Sequence, residues 1–489
     1  MVAFNNKKYL KIQKENIQKR VALFGNKLYL EFGGKLVDDY HASRVLPGFE
    51  SDSKLQLLLS FKNSAEIIIV INSEDIKNRK IRNDTNMTYD VEVERMILSY
   101  RKYGLDVRSV VFSFYEPNKE IDAFMKRLKH MKINVYKHYK IAGYPQNIKL
   151  IVSKEGLGKN EYVKTVKPLV VVTAPGPGSG KMATCLSQLY HDNQKGIKSG
   201  YAKYETFPVW NLPLNHPVNM AYEAATLDLN DINMIDPYHL EAYGKTAVNY
   251  NRDIEVFPLL RDILTKILSS CPYKSPTDMG VNMVGFAIED ENAVIKAAHN
   301  EIIRRYYNAK KEYLIGKYSE NEIMKIELLM NRLSLKPEDR KCVAPTLKKA
   351  KESGSPSMAI ELKDGTVLTA KRSDLLTAPA ALILNALKYL AGINDKLLLL
   401  SRNVIEPIQD LKVKTLHNLN PKIHAEEILI ALAIQANTNP MAELALSKID
   451  ELNGCEAHSS CLLPPSDLKT FGKVGVRVTE EPSSYIYKI

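Results

Sequence analysis

Between residues 27 and 207 short apolar runs alternate with longer stretches whose apolar positions recur at helical spacing. The runs at 28–32, 65–71, 107–114, 133–136, 148–152, 169–173 and 200–205 predict strands. The segments 53–62, 91–103, 118–131 and 181–192 predict helices. Strand and helix in alternation, with strands apolar on both faces, predict an α/β fold: a mainly parallel three-layer sheet domain.

Beyond residue 208 the pattern changes. From 208 to about 278 the chain is rich in Pro, Asn, Asp and Tyr without clean periodicity, which reads as an irregular lid or binding connection. Helical spacing returns over 292–334 as a hairpin of helices, and polar breaks at 336–340 and 351–357 mark a boundary. The last third opens with strands at 358–362 and 366–370 around an Asp364-Gly365 turn. It continues with helices at 378–391, 425–435 and 441–452 and strands at 474–479 and 484–487, an α+β arrangement. The expected division is a 1–230 α/β domain, a 231–340 lid plus helical segment, and a 341–489 α+β C-terminal domain.

One segment states a chemistry. The apolar run ending at Thr173 passes into Ala174, Pro175, Gly176, Pro177, Gly178, Ser179 and Gly180, and Lys181 then opens a helix. Closely spaced glycines let backbone N–H groups converge on an anion, the helix start adds its free N–H groups, and the lysine supplies a charge. The run departs from G-x-x-x-x-G-K-[ST] at two places: Pro175 stands where the first glycine belongs, and Met182 where the metal-binding hydroxyl belongs. Thr184, two residues further, lies roughly 200° round a helix and does not replace it. Magnesium would need another anchor, and Asp236 and Asp253 are the candidates, with Arg252 placed to clamp a phosphate.

The expectation is therefore a nucleotide or phosphorylated metabolite, ATP or a similar ligand with magnesium, held by Gly176, Gly178, Ser179, Gly180 and Lys181. Phosphoryl transfer or ligation would be carried by Lys181, Arg252 and Asp253. The alternative is a non-catalytic ligand-binding or scaffold protein that oligomerises through its C-terminal domain. Cys455, His458 and Cys461 have a zinc-like spacing whose fourth ligand would come from elsewhere in the chain, so a zinc knuckle and a structural role both stand open for them.

Composition narrows the partners. The 489 residues carry a formal charge of +12, but the basic residues are scattered, and the runs at 77–82 and 126–132 lack interleaved aromatics; no nucleic-acid partner is expected. The most apolar stretch, 380–400, is broken by Lys388, Asn394, Asp395 and Lys396, so no membrane span is expected. Five cysteines and 14 methionines suit a reducing cytoplasm. The expected partners are a small phosphorylated ligand and further copies of the chain.

Several phrases carry a resemblance: Tyr29-Leu30-Glu31-Phe32-Gly33-Gly34-Lys35, the segments 38–49 and 173–190, Met234-Ile235-Asp236-Pro237-Tyr238-His239-Leu240-Glu241, and Val248-Asn249-Tyr250-Asn251-Arg252-Asp253. Over nearly its whole length the chain resembles a bacterial family of uncharacterised proteins, common in clostridia, streptococci and actinobacteria and classed as a domain of unknown function. The resemblance implies the α/β, helical and α+β succession in a cytoplasmic protein. It implies no activity and no catalytic residue.

Overall fold

The structure, a computed structural model, describes residues 3–33, 40–82 and 86–482. The strand expected at 484–487 and the stretch from Gly34 to Asp39 lie outside them. The chain forms two compact units, Met1–Ala298 and His299–Ile489, so the expected middle segment is shared between them.

In the first unit the described residues form a seven-stranded parallel sheet. Its strands are β1 (Leu28–Phe32), β2 (Ala65–Asn72), β3 (Val107–Ser113), β4 (Asn134–Lys137), β5 (Leu169–Thr173), β6 (Gly200–Tyr204) and β7 (Gly280–Val281), in the order β7-β6-β1-β5-β2-β3-β4. Every residue of β5, Leu-Val-Val-Val-Thr, is buried, as is all of β2 up to Asn72, because helices cover both faces. Among those helices are α1 (Asn6–Leu23), α2 (Ser53–Leu59), α3 (Tyr89–Lys102), α4 (Lys119–His130), α5 (Lys181–Gln194) and α6 (Asn251–Leu268). α4 shows how the sequence specifies them: the Asn118 side chain caps it by accepting from the Glu120 amide, and Ile121, Phe124, Met125 and Leu128 turn inward at helical spacing.

Two expectations need correction, and one helix was not expected at all. Residues 148–152 are not a strand: Ile148–Ile151 is a helical turn, capped by Asn147 accepting from the Leu150 amide. The 208–278 stretch contains an antiparallel ribbon, Asn233–Ile235 with Val248–Tyr250, and then α6, whose Ile254, Phe257, Leu260, Ile263, Leu264 and Ile267 are buried core. And α1, unannounced by its lysine-rich sequence, buries the narrow stripe Asn6, Tyr9, Gln13 and Ile17.

The second unit begins within α7 (Glu291–Leu314), followed by α8 (Glu320–Arg332) and α9 (Val343–Ser353). A mixed four-stranded sheet follows: β8 (Ser357–Glu361), β9 (Val367–Lys371), β10 (Glu456–Ser459) and β11 (Arg477–Glu480), ordered β9-β8-β10-β11. Only the β10–β11 pair is parallel. α10 (Ala378–Leu390) and α11 (Ala425–Ala436) pack their apolar faces into its core. The fully buried Arg340 stitches this sheet, donating to the carbonyls of Ala457 (2.8 Å) and Arg477 (2.6 Å) and pairing with Glu456 (3.0 Å).

Candidate functional site

The order of the parallel strands locates a crevice. From β1 the chain passes over β5 to reach β2, whereas from β5 it passes over β1 to reach β6. Right-handed crossovers running in opposite directions place their helices on opposite faces, so the carboxyl ends of the adjacent strands β1 and β5 part. The side chains agree. Tyr29 of β1 donates to Asp192 of α5 (2.8 Å) on one face. On the other, Phe32 stacks on Tyr204 at 4.1 Å, and Tyr204 meets Tyr9 of α1 and lies under Lys54 of α2.

The glycine loop fills the β5 side of this crevice. Gly178 (φ 70°) and Gly180 (φ 87°) occupy the left-handed region, and Gly180 is the N-cap of α5. The loop's oxygens are turned to hydroxyls: Ser179 Oγ donates to the Gly176 carbonyl (2.7 Å), and Ser113 Oγ donates to the Ser179 carbonyl (2.7 Å). Most of its nitrogens are not so engaged. Among the described residues, the amides of Gly176, Gly178, Gly180, Lys181, Met182 and Ala183 donate to no protein acceptor, while the Ser179 amide closes a turn toward the Gly176 carbonyl. The first intrahelical bond is that of the Thr184 amide to the Gly180 carbonyl (3.0 Å). Two neighbours fix the close approach: a Cβ at Gly176 would come within 2.7 Å of the Tyr89 hydroxyl, and one at Gly180 within 3.0 Å of Ser113 Cβ.

Lys181, half-buried, forms no ion pair among the described residues. It lies one helical turn before Cys185, whose thiol is pushed up chiefly by burial and then by Glu31, while Lys181 pulls it down. Glu31 and Lys181 thus act on the same thiol, in the second turn of α5. The far end of α5 is anchored: Asp192, fully buried, accepts from Tyr29 and from Tyr162 (2.7 Å). Thr184 is buried with its Oγ1 unpartnered, and it is not at the mouth of the loop.

Next to Glu31 the sheet carries a charged cluster that sequence reasoning missed. Glu31 and Lys203 are register partners on β1 and β6, and Tyr201 donates to Glu31 (2.7 Å). Lys203 pairs with Asp253 in the first turn of α6 and lies 3.4 Å from Glu205. Burial disfavours the Lys203 ammonium, yet Asp253, Glu205 and Glu31 outweigh it and hold its pKa above the usual lysine value. Burial also raises Glu205, with Asp253 and Glu31 adding to the effect and Lys203 opposing it, to about 7. The signal available in the sequence was a charged residue interrupting each of two apolar strands, Leu-Tyr-Leu-Glu-Phe and Gly-Tyr-Ala-Lys-Tyr.

The other residues singled out from the sequence fall as follows. Asp253 is brought into this cluster, held by Lys203. Arg252, its side chain 56% exposed, pairs with the buried Asp231 at 3.3 Å. Asp236 is fully buried and caps the Pro237–Tyr243 helix: one oxygen accepts from the Tyr238 and His239 amides, the other from the Thr277 amide and hydroxyl. Asp236 and Asp253 therefore serve different partners. Among the described residues no three or more His, Cys, Asp or Glu side chains are grouped to hold a metal ion. Cys455 and Cys461 are buried, and His458, inside β10, bonds Thr479 through Nδ1 (2.8 Å).

Fold and crevice together define a doubly wound α/β protein whose glycine loop presents unpaired amides at its topological switch point, joined to a mixed-sheet C-terminal unit. The chain belongs to the DUF1846 family: residues 2–334 match "Domain of unknown function DUF1846, N-terminal" and residues 338–487 match "Domain of unknown function DUF1846, C-terminal". It is 53% identical over 481 residues to a UPF0371 protein of Streptococcus uberis, covering 98% of this chain and 97% of that one. It is 51% identical over 488 residues to one of Streptococcus pyogenes serotype M5, covering 100% and 99%. A Streptococcus thermophilus relative is 52% identical over 480 residues, covering 98% and 97%. No helix among the described residues is long and apolar enough to cross a membrane.

Proposed function

We propose that this protein binds a nucleotide or another phosphorylated metabolite at the 174–181 loop and acts on it by phosphoryl transfer or ligation. The observation that supports the reading is the set of unpaired amides between Gly176 and Ala183, backed by a lysine without a carboxylate partner. Amides left unsatisfied at a helix start, with the positive end of its dipole behind them, favour an oxyanion. A loop stabilising only its own turn would spend those donors on its own carbonyls, and here the carbonyls are taken by serine hydroxyls instead. Lys181 would neutralise charge that develops on a transferring phosphoryl group. Isothermal calorimetry with ATP, GTP, sugar phosphates and inorganic phosphate, with and without magnesium, tests the reading. Saturable binding that Lys181→Met weakens is expected, and no heat from any of them at millimolar concentration rejects it. Binding without turnover would favour the non-catalytic sensor.

A further inference from the structure

In the second unit, α11 is apolar on both its inner and its outer side. Ala425, Ile428, Ala431 and Leu432 are buried in the core beside the sheet. On the outside, Ile430 and Ile434, one helical turn apart, are each 54% exposed, and Ala433 is exposed with them. A helix bordering water normally turns polar residues outward, whereas one that is apolar all round is covered all round. The next helix, α12 (Pro440–Leu446), extends this surface with Met441 and Leu444, again one turn apart and both exposed. Two hydrogen bonds draw a third segment to the same place. Asn439, in the turn between the helices, donates to the Leu399 carbonyl (3.3 Å), and the Ser401 hydroxyl donates to Gln435 of α11 (3.2 Å). Leu397 and Leu398 therefore stand beside the helix pair, and Leu398 is 87% exposed.

We propose that this face is the contact between two copies of the chain, each laying α11 and α12 against the other across a two-fold axis. Three observations select a second copy as the occupant. The first is area. Leu397, Leu398, Ile430, Ile434, Met441 and Leu444 together expose on the order of 500 Å² of apolar surface, which matches the roughly 65% apolar share of the roughly 800 Å² that each member brings to a standard interface. The second is the lack of charge. In a two-fold contact the same patch meets itself, so a charge at its centre would face its own like. From Ile428 to Ala442 the chain carries no charged residue, although its formal charge overall is +12. The third is the border, where both signs occur. Lys396 and Arg402 flank the leucine segment and Glu443 stands on α12, all three exposed and without an ion pair among the described residues. Opposite signs at the border of a patch that meets itself can pair across the axis, whereas a patch that docks an acidic or a basic partner carries one sign. None of this depends on what the glycine loop binds.

Sedimentation equilibrium of the full chain tests the proposal, with circular dichroism to show that each variant is folded. A dimer forming below about 100 μM chain is expected. Ile434→Glu, which sets a carboxylate against its own copy, should raise the dimer Kd about tenfold or more, and Leu398→Lys should do the same. The Leu398 side chain is almost wholly exposed, so its replacement spares the fold and decides the matter even where Ile434→Glu unfolds. Leu98→Lys, at an isolated leucine 62% exposed on α3 of the first unit, should leave the dimer intact. A wild type that stays monomeric up to about 100 μM would leave the face to a different partner and overturn the proposal. An unchanged Kd in Leu398→Lys, or a loss in Leu98→Lys as large as that in Leu398→Lys, would overturn it equally.

Discussion

Replacing Lys181 by methionine separates a ligand-binding lysine from a structural one. The substitution keeps the aliphatic stem on α5 and removes only the ammonium. That ammonium has no ion-pair partner among the described residues, so folding stability should change by no more than about 0.5 kcal/mol. A bound phosphate changes the comparison. Losing one charge-assisted hydrogen bond costs about 1.5–3 kcal/mol, a Kd roughly 10–150-fold higher. At a ligand concentration one hundred times the wild-type Kd, the wild type gains about 2.7 kcal/mol of stability from mass action, whereas the variant gains only about 0.3–1.4 kcal/mol. Calorimetry gives the two Kd values, and urea unfolding with and without ATP gives the two increments. A Kd within twofold of wild type refutes the assignment. So does a ligand-free stability loss as large as the affinity loss, since that would make Lys181 part of the fold.

Gly180→Ala should lower stability by about 1–2 kcal/mol in urea unfolding, because φ 87° is a left-handed conformation and the new Cβ lies 3.0 Å from Ser113; no loss would mean the loop relaxes freely. Glu205 should make stability pH-dependent. Its folded pKa of about 7 exceeds the ordinary 4.5, so the folded state holds the extra proton and stability falls as pH rises from 4.5 through 7. Paired urea titrations of wild type and Glu205→Gln across that window should show the difference, and parallel curves would contradict it. Arg340→Ala should cost about 3–5 kcal/mol, since it removes a fully buried cation together with its pair to Glu456 and its bonds to the Ala457 and Arg477 carbonyls, leaving Glu456 only Arg477 as an ion-pair partner. Denaturant unfolding followed by circular dichroism checks it, and a change below about 1 kcal/mol would contradict the buried latch.

The sheet was legible where burial leaves no choice. Leu169–Thr173 and Ile67–Ile71 are unbroken, almost wholly apolar and β-branched runs, which only a strand covered on both faces explains. Legibility failed where tertiary contacts overrode the local signal. Ile148–Ile151 is as apolar as a strand but too short to show a period, and its Asn147 cap decided the outcome. α1 hides a four-residue buried stripe among lysines, and α6 carries Pro258 within it, which masked a helix whose core face is otherwise regular. The glycine loop could be read because its parts are consecutive. The Glu31, Lys203, Glu205 and Asp253 cluster could not, because it draws on three distant segments that only the crossing of β1 by the β5–β6 connection brings together. Asp236 is ambiguous for a related reason: an Asp before Pro237 serves equally as metal ligand or helix cap, and its four hydrogen-bond donors within the protein come from residues the sequence alone does not bring together.

Asp192 sits at the opposite end of α5 from the glycine loop, where two tyrosine hydroxyls converge on its carboxylate. A helix fastened there can neither slide along the sheet nor rotate about its own axis. The orientation of its first-turn amides is therefore settled during folding, and an arriving oxyanion has little to organise. Loosening that distant fastening, as Tyr29→Phe with Tyr162→Phe would, should blunt ligand capture from about three turns of helix away without touching a single contacting atom.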